Sequence, residues 1–325
     1  MDDLAFSVAE KKIKKTLSVL VGILVVLAFV LTNSLYPDIL FKDLSKFQKY
    51  FLGATSTASV DVGNSEPAAS SASLNGESTI TLTEGTTTPV VVTGAVTDYN
   101  GCLDLASVVI KVYTGLLSNC TVTNNTTCYI TTISSPSTDP SCTGGTDTSF
   151  ALSSSNATLN LQYYAQPATW NVTIIPTDIT NDGGQTTDTS TGTVLATTTG
   201  LTVSSTITYG SVANGANSTG DHTATVTNTG NAAIDYRLSG AAPTLDCTAN
   251  GGLGSIPIEN EEYSTASFSH GSGTALTTSP ATVTANIVAQ TTASPVTADS
   301  YWQIAVPYGV RGTCSGSVVF TAVAH

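Results

Sequence analysis

Short runs that alternate apolar and polar residues constrain this chain more than any other feature. Thr79-Ile80-Thr81-Leu82-Thr83, Val108 to Tyr113, Leu159-Asn160-Leu161-Gln162-Tyr163 and Trp170-Asn171-Val172-Thr173-Ile174 set apolar side chains two apart. A strand turns successive side chains to opposite faces, so this period builds sheets with one buried face. Gly, Pro and Asn turns bound the runs, and many short strands indicate sandwiches. Composition agrees. Thr, Ser, Ala, Val, Gly and Asn dominate beyond Gly53, which is poor helix stock and good strand-and-turn stock. A Thr/Ser-rich chain without such recurrent alternation would read as disordered.

Thr88 to Asp98, Val108 to Thr114, Tyr129 to Ser134, Thr148 to Ser153, Thr158 to Tyr164 and Thr169 to Pro176 are expected strands of a first domain, with another in the Thr-rich link 186–199. Thr202 to Tyr209, Asp221 to Asn228, Ala232 to Leu238, Tyr263 to Phe268, Ala281 to Val288, Tyr301 to Val306 and Ser315 to Val323 are those of a second. Asn228-Thr229-Gly230-Asn231 predicts a tight hairpin, because Gly and Asn tolerate positive φ. Trp170 and Trp302, one per domain, read as core anchors. The 272 residues beyond Gly53 (325 − 53) suffice for two cores.

The N-terminus differs in kind. Lys11, Lys12, Lys14 and Lys15 precede twenty uncharged residues, Thr16 to Leu35, a helix length of about 30 Å that matches the hydrocarbon core. Beyond residue 54 there are three cations (Lys111, Arg237, Arg311) against eighteen Asp and Glu. The positive-inside rule puts the basic flank in the cytoplasm and all that follows outside. Thr32-Asn33-Ser34 is a passable cleavage site, but no Ala-x-Ala follows immediately and the fifteen-residue leader with acidic Asp2, Asp3 and Glu10 is long for a signal n-region, so an uncleaved anchor is expected over a cleaved signal peptide. Pro37 stops the helix. The apolar residues between Ile39 and Leu52, interleaved with Lys42, Lys46 and Lys49, read as a stalk, an interfacial helix or a self-packing helix. The expected organisation is a leader at 1–15, a transmembrane helix at 16–36, stalk and Ser/Ala-rich linker at 37–77 with a strand at Ser56 to Val62, then domains at 78–200 and 201–325.

Six cysteines, an even count in an exported chain, point to disulfides. Cys102, Cys120, Cys128 and Cys142 allow three pairings. Cys247 and Cys314 pair by elimination if bridges stay within domains. Metal binding by these cysteines is not expected: no Cys-x-x-Cys occurs and no His is close to any of them.

Asn100-Gly101-Cys102, Cys128-Tyr129, Leu161-Gln162-Tyr163-Tyr164-Ala165 and the Trp170 strand ending in Asp178 resemble Ig-like ectodomains of surface proteins encoded by small-genome uncultured bacteria and some archaea. Asn228 to Asn231, Trp302 to Pro307 and Gly312 to Gly316 are similar to the sandwich modules that often follow. The resemblance spans most of residues 56–324. It implies an all-β fold of two tandem Ig-like β-sandwich domains, here on an N-terminal transmembrane helix, and a cell-surface location. One departure is the membrane segment, which lies well upstream of Ala54-Thr55-Ser56-Thr57-Ala58, where a signal peptide would be expected to end.

Catalysis has little support. His222, His270 and His325 sit in no triad motif, and no Gly-x-Ser-x-Gly elbow occurs. In the loop 178–184, Asp178 and Asp182 occupy the first and fifth positions of a calcium loop with Gly183 at the sixth, but Thr189 stands where the bidentate acid belongs. Calcium at Asp178 and Asp182 is weighed against a plain Asn-Asp-Gly-Gly turn, and no other cofactor is expected. Glu259, Glu261 and Glu262 read as a solvated turn. The acidic balance excludes nucleic acid as a partner. Asn119, Asn124, Asn125, Asn156, Asn171 and Asn217 are glycosylation sequons.

These features predict a non-enzymatic, single-pass surface glycoprotein with its C-terminus outside, in adhesion or as an envelope component, with a protein or glycan partner. A filament or layer subunit is the alternative, with Ala54 to Val62 donating a strand to another copy. A carbohydrate-binding module is a third, weakened because Tyr163 and Tyr164 alternate faces.

Overall fold

The computed structural model describes residues 20–25, 58–134, 136, 142, 147–180, 186–204 and 206–325. The chain divides into two compact units, Met1–Val62 and Gly63–His325. In the first, residues 20–25 are helical; the rest of the expected membrane span, and the amphipathic stretch after it, lie outside the described residues. No helix among the described residues is long and apolar enough to cross a membrane.

The second unit is all-β, and its first half is two four-stranded sheets. Its strands are β1 (Ala68–Leu74), β2 (Thr88–Thr97), β3 (Leu105–Thr114), β4 (Cys128–Ile133), β5 (Ser149–Leu152), β6 (Thr158–Leu161), β7 (Thr169–Asp178) and β8 (Asp188–Val194). β1 pairs with one edge of β2, while β5 and β6 divide the other edge between Gly94–Thr97 and Thr88–Val91. The facing sheet runs β4-β3-β7-β8. All ladders are antiparallel; parallel bridges Ala68–Thr186 and Ile80–Leu195 join the two sheets along one side. Alternation puts Val108, Ile110 and Val112 of β3 against Val92, Val96, Phe150 and Trp170 in one buried cluster. Each such aliphatic side chain contributes about 1.5–3 kcal/mol by leaving water.

The second half holds β9 (Leu201–Val203), β10 (His222–Asn228), β11 (Ile234–Gly240), β12 (Thr244–Asp246), β13 (Ser255–Pro257), β14 (Glu261–Ser264), β15 (Thr274–Ala275), β16 (Ala281–Ile287), β17 (Thr297–Ile304) and β18 (Val318–Ala324). A five-stranded sheet, β15-β14-β17-β10-β9, shares a core with a three-stranded sheet, β16-β11-β18; β12 and β13 form a separate ribbon. Trp302 and Tyr236 are fully buried at its centre. Bridges join Cys102–Cys142, Cys120–Cys128 and Cys247–Cys314.

Four expectations need correcting. Of the strand expected at Ser56 to Val62, the described part, residues 58–62, is exposed and outside any strand, while Ser56 and Thr57 lie outside the described residues. The strand of this region is β1, inside the stretch read as linker. A bulge between Ser70 and Ser73, with Ser71 at φ 55°, breaks its alternation, so period two was not there to be seen. Of Thr202 to Tyr209, the ladder covers only the residues to Val203, with one more backbone bond from Ser204 N–H to Thr225 O at 3.0 Å; Ile207 and Tyr209 face the core, yet their backbone joins no ladder among the described residues.

The fourth correction concerns Asn228-Thr229-Gly230-Asn231. β10 and β11 belong to different sheets, so the motif is an arch between sheets and not a hairpin. The buried Asn228 carboxamide holds it, donating to the Ala232, Ile287 and Val288 carbonyls at 2.8–3.1 Å and accepting from Gly230 N–H at 2.9 Å. The outside of the arch grips the segment leaving the first sandwich. Thr229 N–H donates to Gly200 O, and Asn231 N–H to Thr198 O at 2.9 Å. The Asn231 side chain accepts from Thr198 N–H at 2.6 Å and donates to Ala196 O at 3.0 Å. Gly85 N–H of the first sandwich donates to Thr229 O at 3.0 Å. A Cβ on Gly230 would lie 2.2 Å from Thr198 O, so no other residue fits there unshifted.

Candidate functional site

Three acids from separate segments meet at one end of the first sandwich. Asp98 follows β2, Asp104 precedes β3 and Asp178 closes β7, and one carboxylate oxygen of each lies within 4.8 Å of the others. Asp98 is fully buried, Asp178 is 2% exposed and Asp104 is half-buried, open to solvent. Asp98 Oδ1 accepts from Asn100 N–H at 2.8 Å, whereas its Oδ2 is buried without a partner among the described residues. Burial pushes the Asp98 carboxyl above its usual range; the Asn100 N–H opposes this, and Asp104, Asp178 and Glu66 add repulsion.

The segment entering the sandwich closes over the cluster. Asn64 Nδ2 donates to Asp178 Oδ2 at 2.7 Å and Thr180 Oγ1 at 2.9 Å, with Glu66 Oε1 at 3.4 Å. Ser65 N–H donates to the Asn100 side chain, whose amide reaches back to Gly63 O at 3.4 Å. Sequence reading flagged only Asp178 of the three; Asp182 lies outside the described residues. The available signal was that β2 and β7 both end on Asp followed by turn residues.

A second feature is a cleft of about 1120 Å³ in the second sandwich, lined by Ile207, Tyr209, Leu245, Ile256, Val318 and Phe320 among others. One wall is the stretch 206–214 after β9, which joins no strand. The other is β18, whose one strand partner among the described residues is β11.

The remaining candidates serve structure. Trp170 and Trp302 are fully buried, their indole N–H groups donating to Gln166 O and Ser300 Oγ, each at 2.9 Å. Tyr164 is buried and Tyr163 half-buried, edge to face. The Tyr163 hydroxyl donates to Gln290 of the second sandwich, and Thr126 Oγ1 donates to Thr291 O beside it at 2.9 Å. The Glu259–Glu262 cluster is no solvated turn: Glu261 is 4% exposed on the inner face of β14, accepting from Tyr209 O–H at 3.0 Å. Burial pushes its carboxyl up, and the hydroxyl only partly offsets this. Glu262, on the opposite face, accepts from Gly271 and Gly273 N–H. His222 stacks edgewise on Tyr209, His270 lies 3.8 Å from Glu262 and His325 pairs with Asp235 at 3.1 Å.

Of the sequons, Asn119 and Asn217 are exposed with no side-chain hydrogen bond among the described residues. Asn124 is tied down by N–H donors from Thr126, Thr127 and Cys128. Asn156 is held by Ser153 N–H and Ala151 O, Asn171 is half-buried on β7, and Asn125 sits half-buried at φ 63°.

No family model matches the chain, and no curated protein matches it. Among solved structures, the C-terminal domain of the AgI/II polypeptide BspA from Streptococcus agalactiae is similar over 80% of this chain and 100% of that one, at 8% identity and a TM-score of 0.17. So loose a likeness carries no weight; the class rests on the sheets and bridges above. The described chain is an all-β, sandwich-like protein cross-linked by three disulfides, a bonding state that belongs to an oxidising exterior.

Proposed function

We propose that this is a non-catalytic cell-surface protein that displays two Ig-like sandwiches from an N-terminal membrane anchor, for attachment or as an envelope component. The observation that carries this reading is the disulfide set: all six cysteines are paired, and all lie in the part of the chain that the basic leader would place outside. The docked sandwiches support it, since a locked junction holds a binding surface away from a membrane. Tyr163 serves the junction and Tyr164 is buried beside it, which weighs against an aromatic row for a glycan at this pair.

A second reading, assembly by strand addition, is favoured by a specific pair of features. Residues 58–62 (Ala-Ser-Val-Asp-Val) join no ladder, with Val60 and Val62 82% and 80% exposed. The cleft beside the β18 edge offers a slot of mixed polar and apolar lining, with Arg311, to an alternating segment carrying Asp61. An exposed edge with alternate-side-chain pockets is what strand addition requires. Electron microscopy of intact cells labelled on the second sandwich decides. Scattered single labels support the attachment protein; label along fibres or in a lattice that Val60→Asp with Val62→Asp abolishes supports assembly.

A further inference from the structure

We propose that Asp98, Asp104 and Asp178 form a calcium site that clamps the entering segment 63–66 onto the end of the first sandwich. Three loops bring carboxylates within 4.8 Å of one another. Two oxygens on opposite sides of one calcium ion stand roughly 4.6–5.2 Å apart, twice the ion–oxygen distance, against about 4.1 Å for magnesium. The set is all-oxygen, as hard cations prefer, and has no imidazole or thiolate to select a transition metal.

The independent observation is Asp98 Oδ2. It is fully buried, next to two more acids, and has no donor among the described residues. A buried carboxylate oxygen is costly unless a hydrogen bond or a cation meets it. No Lys or Arg among the described residues answers it: Lys111 Nζ is bound to Cys120 O at 2.9 Å, Arg237 Nε meets Thr282 Oγ1 at 3.4 Å and Arg311 Nη2 meets Gly251 O at 3.2 Å. Half-buried Asp104 leaves a path from solvent, and water completes the six to eight ligands calcium takes. Because Asn64 and Ser65 bind Asp178 and Asn100, an ion that fixes the acids fixes the entering segment too.

The test uses the purified full-length chain in detergent, stripped with EDTA and titrated with calcium chloride. Binding is expected at about 10⁻⁴–10⁻³ M, in the range of extracellular modules. Saturation should raise the melting midpoint by several degrees and slow protease cleavage within 58–66. Asp98→Asn should abolish both responses. If that variant does not fold, Asp104→Asn, at the open side, decides by weakening calcium binding at least tenfold. Wild-type chain with no calcium-dependent change in midpoint or cleavage overturns the proposal. So does calcium affinity unchanged in Asp104→Asn. Magnesium acting equally at equal concentration overturns the assignment to calcium.

Discussion

Asn231 shows how one side chain replaces regular structure. At 2% exposure it supplies the Thr198 N–H with an acceptor and the Ala196 carbonyl with a donor where no strand is available. Asn231→Ala leaves both partly buried backbone groups without these partners, and thermal denaturation should show a loss of about 1–2 kcal/mol. Glu261 predicts the opposite sign. Its folded carboxyl is raised, so ionisation costs stability above that value and the cost is relieved as pH falls through it. Glu261→Gln keeps an acceptor for Tyr209 and removes the charge. Denaturant titration should find it more stable than wild type at pH 7, with the gap closing toward pH 4. Asp235 is held low, first by Asn286 N–H and then by His325 and Ala285 N–H. Its contribution is present above the ordinary carboxylate value and lost as pH falls through its depressed one, so Asp235→Asn should flatten the acid limb below about pH 4. Such partnerships join residues 33 to 90 positions apart, so sequence showed the acids and amides without their mates.

Elements were legible where alternation and pairing coincide. β3, β7 and β10 fall within a few residues of expectation, because their apolar positions face a core and their backbones lie in mid-sheet. Alternation reports which way a side chain faces, not whether the backbone beside it is paired. Ile207 and Tyr209 therefore mimic a strand, and the bulged β1 hides one. Turn chemistry has the same limit: Asn-Thr-Gly-Asn specifies a sharp reversal but not whether the chain returns to the same sheet. The candidate cation site escaped for a related reason, since three single acids on three loops have no common spacing. Loop length orders the bridges. Cys247–Cys314 spans 67 residues and Cys120–Cys128 eight. Replacing the first pair with Ser should cost about 4 kcal/mol and the second about 2.5 kcal/mol, read from unfolding midpoints without reductant.

At the scale of the whole second unit, three contacts surround the link between sandwiches: the arch on 196–200, Gly85 on Thr229, and Tyr163 with Thr126 on the 290–291 loop. Gly230→Ala should loosen the first by about 1–3 kcal/mol, since the added methyl collides with Thr198 O. Hydrogen exchange at Thr198 and Asn231 should quicken by one or more orders of magnitude while the β3–β7 ladder is unchanged.

The parallel bridges of the first sandwich also decide how it would respond to being pulled. Force applied through the chain enters at Pro67 and leaves after Leu195, at opposite ends of two strand edges that run the same way. Tension would slide those edges past each other, loading the Ala69–Thr186, Thr186–Pro67, Ile80–Val194 and Ala196–Ile80 hydrogen bonds together instead of peeling them one by one. The arrangement makes the first sandwich resist force applied between its two ends more than a peeled hairpin would.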